Sequence, residues 1–382
     1  MPLPRLYQHA WMDEDLAVFR DSVRKYTLRE IAPHLETWRR QGYVPREVWR
    51  AFGAMGFLLP EMPEAYGGSG VNLGWQLTVQ DELTRVEMPA ITGVHSIASH
   101  YVLAFGTEEQ KQRWLPKLTS GEYLAAIAMT EPDCGSDLKA LRTRARREGD
   151  HYIIDGAKTF ITNGSTCSLL ILACRTGEQG SKGVSLIGLE TTDLQGFEVG
   201  RRLEKLGQHA ADTCELSFTG VRVPIANLLG GVEGQGFIQL MRQLPYERLL
   251  IAVPAAASIE RALELTLEYT RARKVFGQPI ADFQNSQFKL AEVATIAHVV
   301  RSFVNDCIQR LLDGTLENEA AYMAKWWCTD QQCRVMDECL QLFGGYGYMT
   351  EYPIARFFAD ARVQRIYGGA NEVMKDLIAR KL

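Results

Sequence analysis

The rhythm of apolar residues changes twice along this chain, and those two changes limit what it can fold into. From Asp13 to about Gly121 apolar residues recur at spacings of three and four, as in "DLAVFRDSVRKYTLREIAPHLETWRR" and "PREVWRAFGAMGFLLP", which predicts amphipathic helices. After Tyr123 the segments "HYIIDGAKTFITNG", "SLLILAC", "GVSLIGLE" and "TCELSFTGVRVP" are short, rich in Val, Ile, Thr and Phe, and parted by Gly, Asn and Asp, which predicts strands and turns. Helical spacing returns near Gly236 in Phe237 to Arg273, Phe283 to Leu312, Ala320 to Leu342 and Asn371 to Leu382. One block of strands between two helical blocks has no βαβ alternation, which argues against a doubly wound nucleotide fold; GxGxxG and GxxxxGK[ST] are absent too. The expected fold is α+β in three parts: an N-terminal α-helical domain over 1–122, a middle antiparallel β-domain over 123–235, and a C-terminal four-helix bundle over 236–382.

Charge narrows the partners. The 42 Lys and Arg are matched by 46 Asp and Glu and are scattered, so no basic surface is expected to collect a nucleic acid or an anionic membrane. Asp13, Glu14 and Asp15 near the start, with no apolar run, argue against a signal or transit segment, so the mature chain is expected to begin here in the cytoplasm. The charge-free stretch Met88 to Thr107 contains Pro89, Gly93, Ser96, Ser99 and two histidines; it reads as a loop and a buried helix, not a bilayer span. Pro60 to Gly70 reads as a loop. The eight cysteines form no CxxC pair and are expected to be buried thiols of a reducing compartment. His95 and His100, five apart, do not share a helix face, so no metal pair is expected.

The segment "QLPYERLLIA" places Glu247 and Arg248 at the head of an apolar run. Taken alone, Glu247 reads as a first-turn carboxylate beside Pro245, favoured by the helix dipole. It also reads as a carboxylate whose apolar surround raises its proton affinity, as a base requires. Five further stretches bear on the choice: "MTEPDCGSD", "KTFITNG", "RKVFGQPIADFQ", "QLFGGYGYMTEYPIARFFADARV" and "RIYGGANEVMKDLIAR". Together, in this order, they resemble the acyl-CoA dehydrogenase family over nearly the whole chain. The resemblance implies FAD held between the β-domain, the bundle and a neighbouring subunit, in a homotetramer built as a dimer of dimers or in a homodimer. It implies oxidation of an acyl-CoA thioester to the trans-2-enoyl form, with electrons passed to an electron-transfer flavoprotein.

In much of that family the base follows the Tyr of an "IYEGT" type motif. Here the motif reads "IYGGANE", with Gly368 in that place. Long-chain and isovaleryl-type members resemble this chain in carrying the base within "ERL" on the helix opening the bundle, where Glu247 stands. The resemblance makes the backbone N–H of Gly368 a donor to the thioester carbonyl. It assigns Ser136, Tyr246, Arg248, Tyr367 and Gly369 to substrate. For the flavin it implies the loop residues Met129, Thr130, Gly135 and Ser136, and Phe160 and Thr162 beside the ring; Phe160 stands where relatives often have Trp. Arg273, Phe276 and Gln284 match residues that reach the FAD diphosphate and adenine side of a neighbouring subunit, Arg suiting phosphate by its planar fork of donors. Gln341, Gly344 and Gly345 match a turn at the same cofactor. Ala370 and Glu372 lie in the last flavin motif, Ala370 replacing the usual Thr.

Without the resemblance several of these residues have plainer readings. Phe160 would pack the β core, Thr162 would be an exposed strand hydroxyl, Arg248 a surface arginine, and Gly344 with Gly345 a helix-ending turn. Pro254 is expected to kink or unwind its helix near the acyl tail. Two other enzyme readings share the fold: a dehydrogenase of carrier-protein-bound acyl groups, and an oxygen-using oxidase.

Overall fold

A computed structural model describes residues 11–382 except 90 and 179. The first ten residues, on which much of the reading of the chain's start rests, lie outside the described residues. Helix α1 (Glu14–Tyr26) opens with the Asp13 carboxylate accepting the Leu16 N–H and closes with Arg24 and Lys25, so both ends are matched to the helix dipole. The backbone does not continue as one helix. It passes through a wide turn at Thr27–Ile31 and a tight one at Ala32–His34, where Pro33 has no N–H to give, before α2 (Leu35–Gln41).

Helices α3 (Arg46–Ala54), α4 (Leu73–Arg85), α5 (Ile91–Phe105) and α6 (Glu108–Thr119) complete the first part. The expected buried helix in the Met88 to Thr107 stretch is α5. His95 on it is fully buried and satisfied on both sides: Nδ1 accepts the Ala125 N–H at 3.0 Å and Nε2 meets the Leu118 carbonyl at 3.2 Å. Burial holds this imidazole neutral, its pKa down at about 4.

The middle part is a seven-stranded sheet in the order β1-β4-β2-β3-β7-β6, with β5 on β4. Its strands are β1 (Ala125–Ala128), β2 (Arg144–Glu148), β3 (His151–Thr162), β4 (Leu169–Arg175), β5 (Val184–Glu190), β6 (Phe197–Arg202) and β7 (Thr213–Pro224). The pairings are mainly antiparallel, as expected, while β1 and the start of β2 run parallel to β4. Strands β4 and β5 are buried almost throughout, which explains their unbroken apolar runs. Trp114 of α6 lies so close to β5 that a Cβ at Gly188 would stand 2.5 Å from its ring.

The last part is built on three long helices, α7 (Gly236–Ala272), α8 (Gln284–Leu312) and α9 (Asn318–Phe343), with the small hairpin of β8 (Lys274–Val275) and β9 (Gln278–Pro279) between the first two. Two short helices close it, α10 (Pro353–Ala361) and α11 (Asn371–Ala379). Helix α10 falls between the segments predicted from spacing, because nine residues carry too few turns for a clear period. No described helix is long and apolar enough to cross a membrane.

A buried ionic network joins the first part to the last. Asp81 of α4 accepts from Arg20 of α1 at 2.7 Å and from Arg301 of α8 at 2.6 Å; Arg301 also binds Glu260 of α7 at 2.7 Å. Burial by itself would raise the Asp81 pKa, but Arg301, Arg20 and Arg85 outweigh it and hold the carboxyl down at about 2. The ordinary value for an aspartate is 3.8, so this stabilisation is complete above that pH and is lost as pH falls through about 2. Asp81→Asn is expected to cost about 1–3 kcal/mol by removing one anion from this network, in which Arg301 keeps Glu260 and Arg20 keeps Glu82. Denaturant melts at pH 7 and pH 3 should show the difference between the two proteins narrowing at the lower pH.

Candidate active site

Helix α7 runs for 37 residues through both Pro245 and Pro254. Glu247 therefore sits deep inside a helix rather than in its first turn, and the dipole-stabilised reading of it does not hold. Arg248 is not on the surface either. Both are buried, at 4% and 3% exposure. The Glu247 Oε1 accepts one hydrogen bond, from the Tyr101 hydroxyl of α5 at 2.6 Å. Desolvation raises the Glu247 pKa to about 7, against smaller opposing effects of the Tyr101 bond and the Arg248 charge. The Arg248 guanidinium lies 4.3 Å from the Tyr322 ring of α9, and its Nε and Nη1 have no hydrogen-bond partner among the described residues.

Tyr246, on the preceding position, is also buried; its hydroxyl bonds Ser96 at 2.7 Å and its ring lies 4.6 Å from that of His100. His100 in turn meets Glu61 at 2.8 Å. Tyr246 and Pro245 also line a groove of about 620 Å³ with Phe237, Met241, Arg242 and Asn318. The two residues that precede Glu247 on α7 thus border a cleft, while Glu247 itself is not part of its lining.

The Gly368–Gly369 turn meets this part of α7. Both glycines have positive φ, 63° and 90°. A Cβ at Gly368 would stand 2.2 Å from Ile251 Cδ1, and one at Gly369 would stand 3.9 Å from Arg248 Nη2. Ile251 is four residues beyond Glu247, on the same face of α7. Gly368 is therefore next to the helix face that carries the carboxylate, and Ile251 fills the space into which a side chain at 368 would project. Tyr367 is half-buried beside it. Ala370 precedes α11 and offers it no side-chain cap, and Glu372 is exposed in the first turn of α11.

The residues predicted for the flavin fall into two groups. Met129, Thr130, Gly135 and Ser136 lie on the β1–β2 connection, and Phe160 and Thr162 on β3. The Thr159 N–H donates to the Thr130 carbonyl at 3.0 Å. Buried Lys158 donates to the Met129 carbonyl and the Glu131 carboxylate, both at 2.9 Å, and Glu131 caps the N–H groups of Arg142 and Thr143. This pins the loop beside β3. Phe160 is 66% exposed at φ 59°, so it does not pack the β core; a bulky residue held there costs about 1–3 kcal/mol.

In the second group, Arg273, Phe276, Gln341, Gly344 and Gly345 all line one open groove of about 700 Å³, with Tyr269 and Tyr346. Phe276 tips the β8–β9 hairpin at φ 49° and is 98% exposed. Gly344 has φ 58° and ψ −137°, a conformation open essentially to glycine alone. Gln284 begins α8 and is exposed, outside the groove lining. No residue of the β1–β2 connection lines this groove among the described residues.

Sequence reasoning did not find Tyr101, Ile251, Lys158 with Glu131, or Lys325. Nothing in the sequence set Tyr101 apart from Ser96, Ser99, His95 and His100 in the same stretch. The described residues contain no cluster able to hold a metal.

Three family models match the chain end to end: the acyl-CoA dehydrogenase N-terminal domain over 13–122, the middle domain over 126–221 and the C-terminal domain over 234–382. The mouse (Mus musculus) mitochondrial long-chain specific acyl-CoA dehydrogenase is 43% identical over 373 residues, covering 96% of this chain and 86% of that one. The acyl-CoA dehydrogenase of Geobacillus kaustophilus superposes with a TM-score of 0.96 at 43% identity, covering 98% and 99% of the two chains. A glutaryl-CoA dehydrogenase of Mycobacterium smegmatis in complex with FADH2 gives 0.90 at 27% identity, covering 97% and 94%. Helical, sheet and helical parts in this order, around a buried carboxylate, define an oxidoreductase of flavoprotein type. The chain belongs to the acyl-CoA dehydrogenase family.

Gly368→Ala is expected to cost about 1–3 kcal/mol through its positive φ and the close approach to Ile251. Removing Cδ1 with Ile251→Val in the same chain should return part of that loss, and thermal melts of the two single variants and the double variant measure the coupling.

Proposed function

We propose that this protein removes hydrogen from Cα and Cβ of an acyl-CoA thioester, with Glu247 as the base and FAD as the redox cofactor, and that an electron-transfer flavoprotein takes the electrons. The observation that carries the reading is the burial of Glu247 at 4% exposure beside a Gly368 whose side-chain space is filled by Ile251. The carboxylate absent at 368 is thereby replaced by one on the neighbouring helix face.

The chain's residues fit FAD. Arg273 supplies a permanent cation, 5.7 Å from the Tyr346 ring, in an open groove beside an exposed aromatic, Phe276. A Cβ at Gly135 or Gly345 would meet nothing within 4 Å, so these positions leave room for a ligand against the backbone. Met129, Thr130, Ser136, Phe160 and Thr162 would hold the ring side of the cofactor, and Gln284, Gln341 and Gly344 the nucleotide side. When bound, FAD supplies the acceptor for the hydride that leaves Cβ, which no amino-acid side chain can do.

The chain's own residues handle the proton. Glu247 takes it from Cα, the bond's electron pair moves toward the thioester oxygen, and the Gly368 N–H donates to that oxygen. Tyr101 fixes the carboxylate. Tyr246 and Arg248 line the substrate path, with the groove at Pro245 and Arg242 receiving the carrier end of the thioester. The identity to long-chain relatives favours a long acyl chain, and a panel of straight and branched acyl-CoA thioesters tests that by anaerobic bleaching of the flavin.

Glu247→Gln is expected to keep the yellow cofactor and lose most of its reduction by substrate; reduction near the parent rate would sink the base assignment. Because the Glu247 pKa is raised to about 7, kcat/KM should climb as pH rises through that value. The Tyr101 hydroxyl favours the ionised form, so Tyr101→Phe should move the climb to higher pH and slow the enzyme roughly tenfold at pH 7, read from the pH–rate profile.

A further inference from the structure

Lys325 of α9 is fully buried, and no carboxylate lies within ion-pair distance of it among the described residues. Its Nζ donates to two neutral oxygens, the Gly369 carbonyl at 2.7 Å and Asn371 Oδ1 at 2.8 Å. Asn371 is itself held by the Trp326 carbonyl at 3.1 Å and by Thr329 and Asp330, both at 3.0 Å. The Gly368 N–H has no backbone partner among the described residues. A second cation, Arg248, lies against the same turn with two nitrogens unpartnered. A buried ammonium without an anion is costly, and its retention calls for a negative charge that arrives later.

We infer that Lys325 is a positioning residue for the thioester: its ammonium anchors the Gly368–Gly369 turn so that the Gly368 N–H meets the substrate carbonyl, and with Arg248 it surrounds the developing enolate oxygen with positive charge. This rests on Glu247 being the base. In the step concerned the Cα–H bond breaks, Glu247 takes the proton, and the electron pair passes to the thioester oxygen. The negative charge thus moves from Glu247 to the oxygen beside the turn. Lys325 and Arg248 are already in place when it arrives.

Burial first, then the Arg248 charge, brings the Lys325 pKa down to about 7, with Glu372 of α11 and Asp330 opposing and Arg365 adding to the fall. Tyr322 stands one turn earlier on α9 against Arg248, and Lys375 of α11 lies 4.0 Å from the same Asp330. The anchor therefore weakens as pH rises, while Glu247 gains as a base. A bell-shaped profile for proton abstraction follows.

The test separates proton abstraction from oxidation. The FAD-loaded enzyme is given 3,3-dimethylbutyryl-CoA, which has hydrogens on Cα and none on Cβ, in D2O, and deuterium entering Cα is followed by mass spectrometry. Exchange by the parent should rise and then fall with pH. Lys325→Met should exchange about 100-fold more slowly while keeping its flavin absorbance and melting temperature. Lys325→Arg should recover part of the rate and lose the alkaline fall, because a guanidinium stays protonated.

Parent-level exchange in folded Lys325→Met would overturn the proposal. If that variant does not fold, the parent profile decides, and a rate that keeps rising to high pH overturns it as well. Exchange that persists in Glu247→Gln would overturn the base assignment instead, so the two readings fail in different variants.

Discussion

Removal of one carboxylate from water organises this protein. Glu247 is enclosed by α5, α7 and the turn before α11, and among the described residues it keeps a single hydrogen bond, from a neutral donor, Tyr101. A carboxylate given several donors or a tight guanidinium partner would be a weak base, as Asp81 illustrates. Asp81 is as deeply buried as Glu247, yet paired arginines hold its pKa at about 2, while Glu247 stands at about 7. Burial is common to both. The partners decide which of the two can accept a proton.

The same comparison gives the ionic network a role in the site. Arg20, Asp81, Arg301, Arg85 and Glu260 tie α1 and α4 to α7 and α8. Helix α5 follows α4, so the network fixes the helix that carries Tyr101 against the one that carries Glu247. The cationic side of the site is built differently. Arg248 and Lys325 are held by an aromatic face, a backbone carbonyl and a side-chain amide, which orient positive charge without neutralising it.

Backbone conformation marks the surfaces kept for ligands. Phe160 and Phe276 adopt positive φ, a conformation rare for bulky residues, and both rings are turned outward rather than packed. Neither exposure aids the fold of a single chain. Each falls at a position that the resemblance assigns to the flavin, and the hairpin that presents Phe276 sits on the rim of the larger groove.

The sequence by itself determined the order of the three parts, because residue period follows directly from helix and strand geometry and survives without knowledge of neighbours. It also carried the exchange of Glu for Gly between positions 368 and 247, since that rests on residue identity. At 247 its signals disagreed, because apolar spacing ran from Phe237 to Arg273 while Pro245 looks like a helix start, and the unbroken α7 decided between them. Tyr101 over Glu247, Ile251 against Gly368 and Lys325 beneath Gly369 join positions from 44 to 146 residues apart, or one filled cavity with no sequence mark at all. Such contacts were decided by tertiary packing alone, because the energy of a buried charge depends on what surrounds it in space and not on what adjoins it in the chain.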